Sequence, residues 1–142
     1  MTNATVSTQP PDSWPKDVAV GVVKAQAAAR AVKKASRNQH ARYDYASAED
    51  VMAASRDALA DGGLGFVLVG WHLLPEDGGP QPRGKLMLIG TVVATWYLVG
   101  NDGGCVQVSG SMPALAGLGK PDDKAVTTAL TYLQGYVLRG LL

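Results

Sequence analysis

The sequence contains few of the residues from which disulfides, metal centres and nucleophilic sites are built. Cys105 is the only cysteine among 142 residues, which excludes a disulfide framework and a thiolate metal cluster. His40 and His72 are the only histidines, and neither has a metal-ligand spacing. Because Cys105 falls in a predicted strand, we interpret it as a core residue and not a nucleophile. A single cysteine fits a reducing compartment, so a cytoplasmic location is expected.

Long apolar runs and a strong excess of one charge are also lacking. The longest apolar run, Leu86 to Val99, is too short to cross a membrane. The N-terminus has no basic region followed by an apolar block, so no signal peptide is expected. The net charge of +1 means that nucleic-acid binding would have to depend on local patches. The length is that of one domain with its own hydrophobic core.

No arrangement of residues typical of an enzyme is evident. Three acidic pairs, Glu49-Asp50, Glu76-Asp77 and Asp122-Asp123, are explained as helix caps or loop residues, whereas a two-metal nuclease needs several converging carboxylates. Gly119-Lys120 resembles the end of a phosphate-binding loop, but Pro121 stands where serine or threonine is required. We therefore expect a protein that is not an enzyme and that uses no metal or cofactor.

The N-terminal part of the chain divides into an arm and a helix. Residues 1–15 are polar and contain three prolines, which predicts a flexible arm before a domain over residues 16–142. A helix is predicted from Lys16 to about Asn38, because apolar residues recur there at helical spacing.

Positive charge is concentrated late in this predicted helix. Arg30, Lys33, Lys34 and Arg37 have the spacing of one helical face, and Arg42 follows without an intervening acid. Like charges on one face cost free energy unless a partner offsets them. The stripe is therefore either a solvated surface or a binding site for an acidic partner, most simply phosphate.

Two tyrosines follow in a short predicted strand between Gln39 and Ala46. Tyr43 and Tyr45 are two residues apart, so they share one face of a strand. They could stack the bases of a single-stranded nucleic acid or pack into the core, and both interpretations remain open.

The remainder of the chain predicts an α+β fold with a three-stranded antiparallel meander packed with helices. A second helix is predicted over Ser47–Asp61, between a Ser-x-x-Asp start and a Gly-Gly stop. Strands are predicted at Leu64–Leu74, Lys85–Val99 and Cys105–Met112. A loop is predicted from Pro113. The last helix is predicted to start at Asp122 or Asp123, and Lys120 and Lys124 flank its start. Both faces of the middle strand are apolar, so one is expected to meet the helices and the other a further partner such as a neighbouring subunit.

Two blocks of the sequence resemble the ERF (essential recombination function) family of phage-type single-strand DNA annealing proteins. The first is Tyr43-Asp44-Tyr45-Ala46-Ser47-Ala48-Glu49-Asp50, followed by a helix and Gly63-Leu64. The second is Ala129-Leu130-Thr131-Tyr132, followed by Tyr136 and Leu138. The blocks occur in the family's order and together span most of the chain.

The resemblance implies a β-β-β-α core, assembly into a homo-oligomeric ring or filament, and ATP-independent binding and annealing of single-stranded DNA. It implies a role in phage homologous recombination in the cytoplasm of a bacterial host, with host or phage recombination proteins as further candidate partners. The family's paired arginines of the second block correspond to Gln134 and Gly135 here, which removes two cations. Arg139, one turn further on, is a candidate substitute.

The candidate DNA-binding residues are therefore a set of cations and two aromatic residues. The cations are Arg30, Lys33, Lys34, Arg37, Arg42, Lys120, Lys124 and Arg139, and the aromatic residues are Tyr43 and Tyr45. Two other functions remain open. One is a diverged interaction module on the same fold with weakened DNA binding, and the other is a metal-dependent DNA-processing enzyme.

Overall fold

The fold consists of an antiparallel sheet with helices packed on one of its faces. A computed structural model describes residues 4–29, 36–38, 43–45, 48–117 and 122–142 of the chain. The helices are α1 (Lys16–Ala28), α2 (Ala48–Asp61) and α3 (Asp122–Leu141), with a short 3-10 turn at Pro11–Ser13. The strands are β1 (Thr5–Thr8), β2 (Ser36–Asn38), β3 (Tyr43–Tyr45), β4 (Gly65–Pro75), β5 (Gln81–Arg83), β6 (Leu86–Val99) and β7 (Cys105–Ala116).

The main sheet has five strands, and not only the three that the sequence predicts. Its order is β1-β7-β6-β4, with β5 also paired to β6, and every pairing is antiparallel. The predicted strands β4, β6 and β7 are its three longest strands, so the α+β class is confirmed. The two additional strands are only four and three residues long, and such short segments carry no periodic pattern that identifies them before they pair.

The predicted N-terminal arm is part of this sheet. Thr5–Thr8 pair with β7 from Thr5 opposite Ser111 to Thr8 opposite Val108. Trp14 fastens the following turn, because its indole N–H donates to the Gln9 carbonyl at 2.8 Å and its ring packs against the main core. Thr5–Thr8 thus form a strand of the sheet within the segment predicted as an arm.

The core lies between the sheet and the helices. Alternate residues of β6 and β7 are buried on this face, among them Val92, Trp96, Leu98, Val106 and Val108. Helix α3 packs its apolar side on this core, since Val126, Leu133, Val137 and Leu141 are buried. The Trp96 ring is fully buried and stacks on Phe66 with 5.8 Å between ring centroids, so the edge strand β4 also contributes to the core.

Helix α1 is shorter than predicted. It ends at Ala28, and Ser36–Asn38 form a strand, so a single helix from Lys16 to Asn38 is wrong. The buried positions of α1 end at Ala25. The sequence that follows carries like charges, which cost free energy when they share one helical face, and serine and asparagine favour non-helical local hydrogen bonds.

Strand β7 is longer than predicted. It continues to Ala116 and contains Pro113, so the first part of the predicted loop from Pro113 is wrong. Pro113 is opposite Thr91 of β6, whereas β1 covers β7 only as far as Ser111. Proline is tolerated at this position because, in the described sheet, no strand pairs with Pro113 on the side of β7 away from β6. The N–H that proline lacks is therefore not needed for pairing there.

Candidate nucleic-acid interface

The hairpin of β2 and β3 positions three of the predicted contacts. Arg37 is opposite Asp44, and Ser36 and Asn38 are opposite Tyr45 and Tyr43. The strand predicted for the two tyrosines is confirmed. Residues that are opposite each other share a face and alternate residues change face. The backbone register therefore places Tyr43 and Tyr45 two positions apart on β3, on either side of the pair Arg37–Asp44.

Most of the predicted basic stripe lies outside the described residues. This applies to Arg30, Lys33, Lys34, Arg42 and Lys120. Since Arg37 is in a strand, the four cations of the stripe do not share one helical face. Their contact with phosphate stays a prediction from the sequence.

The two remaining cations lie at opposite ends of α3. Lys124 and Arg139 are both exposed, and the Arg139 guanidinium lies 6.0 Å from the centroid of the Tyr136 ring. This is a cation–π distance, which limits the conformations of the side chain. At a rise of 1.5 Å per residue, the two cations are roughly 22 Å apart along the helix. They do not belong to one phosphate site.

A groove between α2 and α3 brings an additional arginine next to the position of the missing arginine pair. The groove has a volume of about 280 Å³, and Arg56, Phe66 and Gln134 are among its lining residues. A neighbouring cavity of about 160 Å³ shares Ser55 and Leu138 with it and is lined by Arg139. Arg56 and Gln134 thus line one cavity, and Arg139 lines the neighbouring one.

Arg56 is not among the cations predicted from the sequence. It is an exposed residue within a helix whose pattern indicates only a structural role, and its proximity to Gln134 arises from the packing of α2 on α3. Asp57 and Asp61 are exposed on the same helix, and Arg56 and Arg139 are the charged members of the described residues that line the two cavities.

The opposite face of β6 and β7 is uncharged. The residues that alternate with the buried positions of β6 and β7 include Thr95, Tyr97, Gln107, Ser109 and Ser111. Between Thr95 and Ser109 the hydroxyl oxygens lie 3.4 Å apart. Because no lysine or arginine lies at these positions, these two strands offer no cation for a phosphate on this face.

Cys105 differs from the sequence expectation. It is exposed at the first position of β7, and its interpretation as a core residue is wrong, because β7 begins on the uncharged face of the sheet. Among the described residues, no group of three or more His, Cys, Asp and Glu side chains could hold a metal ion. No helix in the described part of the chain has the length and apolarity to cross a membrane.

The fold and the site together define a class of protein. It is an α+β protein in which the described candidate cations of α2 and α3 lie on the helical side of an antiparallel sheet. The chain belongs to the ERF superfamily, because the family model matches residues 18–142, nearly the whole chain. The resemblance seen in the two sequence blocks is thus confirmed. Comparisons with curated proteins and with solved structures give no match.

Proposed function

We propose that this protein binds single-stranded DNA and anneals complementary strands without ATP, as a homo-oligomer, during phage recombination. Membership in the ERF superfamily over residues 18–142 carries the proposal. The chemistry requires no bond to be made or broken. The protein has only to neutralise two strands, hold them extended and allow base pairing to select the register.

The distribution of charge supports this function. Phosphate contacts require lysine or arginine, and each contact releases counterions from the strand. Arg56 lines the groove between α2 and α3, and Arg139 lines the neighbouring cavity. The predicted stripe of Arg30, Lys33 and Lys34 follows α1 directly in the sequence. We propose that the strand contacts these cations and that Tyr43 and Tyr45 stack bases.

The decisive experiment measures the annealing of two complementary oligonucleotides, one of which is quenched on pairing, in EDTA and without nucleotide. We expect acceleration over the spontaneous rate and a steep loss of DNA affinity with salt. Loss of activity in EDTA would instead indicate a metal-dependent enzyme. No acceleration, together with no retention of single strands at low salt, would contradict the proposal.

A double variant tests the basic stripe. Lys33→Ala/Lys34→Ala should weaken DNA binding and lower the slope of log affinity against log salt by about 1.4, since each lost contact on a single strand removes about 0.7. The matched control is Lys16→Ala/Lys24→Ala, which removes the same charge from exposed positions of α1. Equal effects of both variants, or unchanged affinity at low salt, would remove the stripe from the interface.

A second candidate function is an interaction module on the same fold with weakened DNA binding. Gln134 and Gly135 favour it, because both are neutral. This candidate predicts normal self-association without retention of single strands.

A further inference from the structure

Strand β4 exposes more apolar surface than a solvated edge strand requires. Its large apolar side chains are between 39% and 52% exposed at Val67, Leu68, Val69, Trp71 and Leu74. The register with β6 assigns Val67 and Leu74 to the uncharged face, and Leu68 and Trp71 to the helical face. The exposed apolar surface therefore continues around the edge, from one face of the sheet to the other.

The backbone of β4 is open on its outer side. It ends the strand order β1-β7-β6-β4 of the described sheet, so its outward N–H and C=O groups meet no further strand there. Edge strands are usually protected from pairing by short length, proline, inward charges or bulges. From Gly65 to Pro75, β4 contains no lysine, arginine, aspartate or glutamate. Its protective features are a bulge between Leu68 and Gly70 and a proline at its last position, Pro75.

The other edges of the same sheet are protected. Strand β5 contains Pro82 and Arg83 in its three residues. The part of β7 beyond β1 contains Pro113. Strand β1 is four residues long and three of them are serine or threonine. Unprotected edge surface is thus specific to β4, as expected for an edge that has a partner.

We infer that β4 is a self-association strand that pairs antiparallel with β4 of a second copy of this chain. Two copies offer strands of equal length, and because neither is charged, they meet without like-charge repulsion. Pairing about a two-fold axis would satisfy both open edges and bury Trp71 and its apolar neighbours from both copies. Strand β1 of a second copy fits less well, because four residues cannot cover eleven.

This inference rests on the homo-oligomer in the proposed function and is independent of DNA binding. A two-fold contact closes after two copies. The ring or filament expected from the resemblance would therefore require a second contact elsewhere on the chain.

The test uses two charge variants at the centre of β4, Val69→Lys and Val69→Glu, without DNA. Val69 is 52% exposed and belongs to neither core cluster. We expect the wild type to sediment at twice 14.8 kDa or an even multiple of it. Each variant alone should self-associate at least roughly tenfold more weakly. An equimolar mixture should regain the wild-type mass, because opposite charges then meet across the axis.

Val23→Lys on α1, at a position 66% exposed, is the matched control and should keep the wild-type mass.

The possible results distinguish the β4 contact from the homo-oligomer of the proposed function. A wild type that remains at 14.8 kDa at all concentrations would overturn both this inference and the homo-oligomer, even if single strands still bind. Val69→Lys with the wild-type mass would overturn the β4 contact alone, as would two dissociated variants whose mixture does not reassociate. If the Val69 variants do not fold, the same pair of substitutions at Val67, also 52% exposed, is subject to the same criteria.

Discussion

At the scale of single residues, Asp17 connects the start of α1 to the turn between β6 and β7. One carboxylate oxygen accepts from the backbone N–H groups of Asp102 and Gly104, both at 2.9 Å. The other accepts from the N–H of Val18 at 3.0 Å. The Gly104 N–H lowers the pKa of the Asp17 carboxyl most, desolvation opposes it, and the N–H groups of Asp102 and Val18 lower it further. The net effect is a pKa below its usual 3.8.

Replacing Asp17 should therefore reduce stability in a manner that depends on pH. A lowered folded-state pKa means that the carboxylate stabilises the fold fully above the unfolded-state pKa of about 3.9, and that this contribution is lost as the pH falls through the folded-state pKa. We expect Asp17→Asn to lower the free energy of unfolding in urea at pH 7, and to differ less from wild type at pH 3. Asp12→Asn, at an exposed position, is the control. An equal loss at both pH values would show that charge is not the cause.

At the scale of elements, α1 and the end of α2 approach each other at two glycines, Gly21 and Gly62. Helix α2 ends at Asp61, and Gly63 adopts a φ of +67° while the Leu64 N–H donates to the Leu59 carbonyl at 2.9 Å. The predicted Gly-Gly stop is thus confirmed. A Cβ at Gly62 would meet the carbonyl oxygen of Gly21 and the Cβ of Ala25, so this contact has no room for a side chain.

Two glycine-to-alanine substitutions should consequently have opposite signs. Gly62→Ala should destabilise the protein by about 1–3 kcal/mol, because overpacking forces α1 away from the turn. Gly135→Ala in α3 should stabilise it by up to about 1 kcal/mol, because a Cβ there meets nothing within 4 Å and alanine favours the helix. Urea denaturation of both variants measures the difference. Stabilisation by Gly62→Ala would contradict the close approach.

At the scale of the whole molecule, the net charge is only +1. The affinity for DNA must therefore depend on where a few cations lie. A cation added near the groove should then have a larger effect than the same cation added elsewhere. Gly135 and Gly140 provide this comparison within α3, because a Cβ at either position meets nothing within 4 Å.

We expect Gly135→Arg to raise the affinity for single-stranded DNA and to steepen its salt dependence by about 0.7 in the log–log slope. Gly140→Arg gives the same net charge at a different position of the helix, and should have a smaller effect. Fluorescence anisotropy of a labelled oligonucleotide over a series of salt concentrations measures both variants. Equal gains would indicate a response to overall charge and would leave Gln134 and Gly135 without a specific role.

Periodicity and turn residues predicted the elements of the second half of the chain. Strand β6 and helix α3 have the predicted positions, because a long strand between strong turns and a helix with a continuous apolar stripe carry their signal locally. The two ERF blocks likewise lie in the sequence itself, and the family match over residues 18–142 confirms them.

Other features were decided by contacts between distant residues. Strand β1 is a strand only because β7 offers it an edge. Arg56 lies beside Gln134 only because α2 packs on α3. The sequence by itself determined the family and the apolar pattern of the long elements, since both are local. The tertiary structure alone decided which edge of the sheet remains open and which cations share a groove, because both depend on residues that are far apart in the chain.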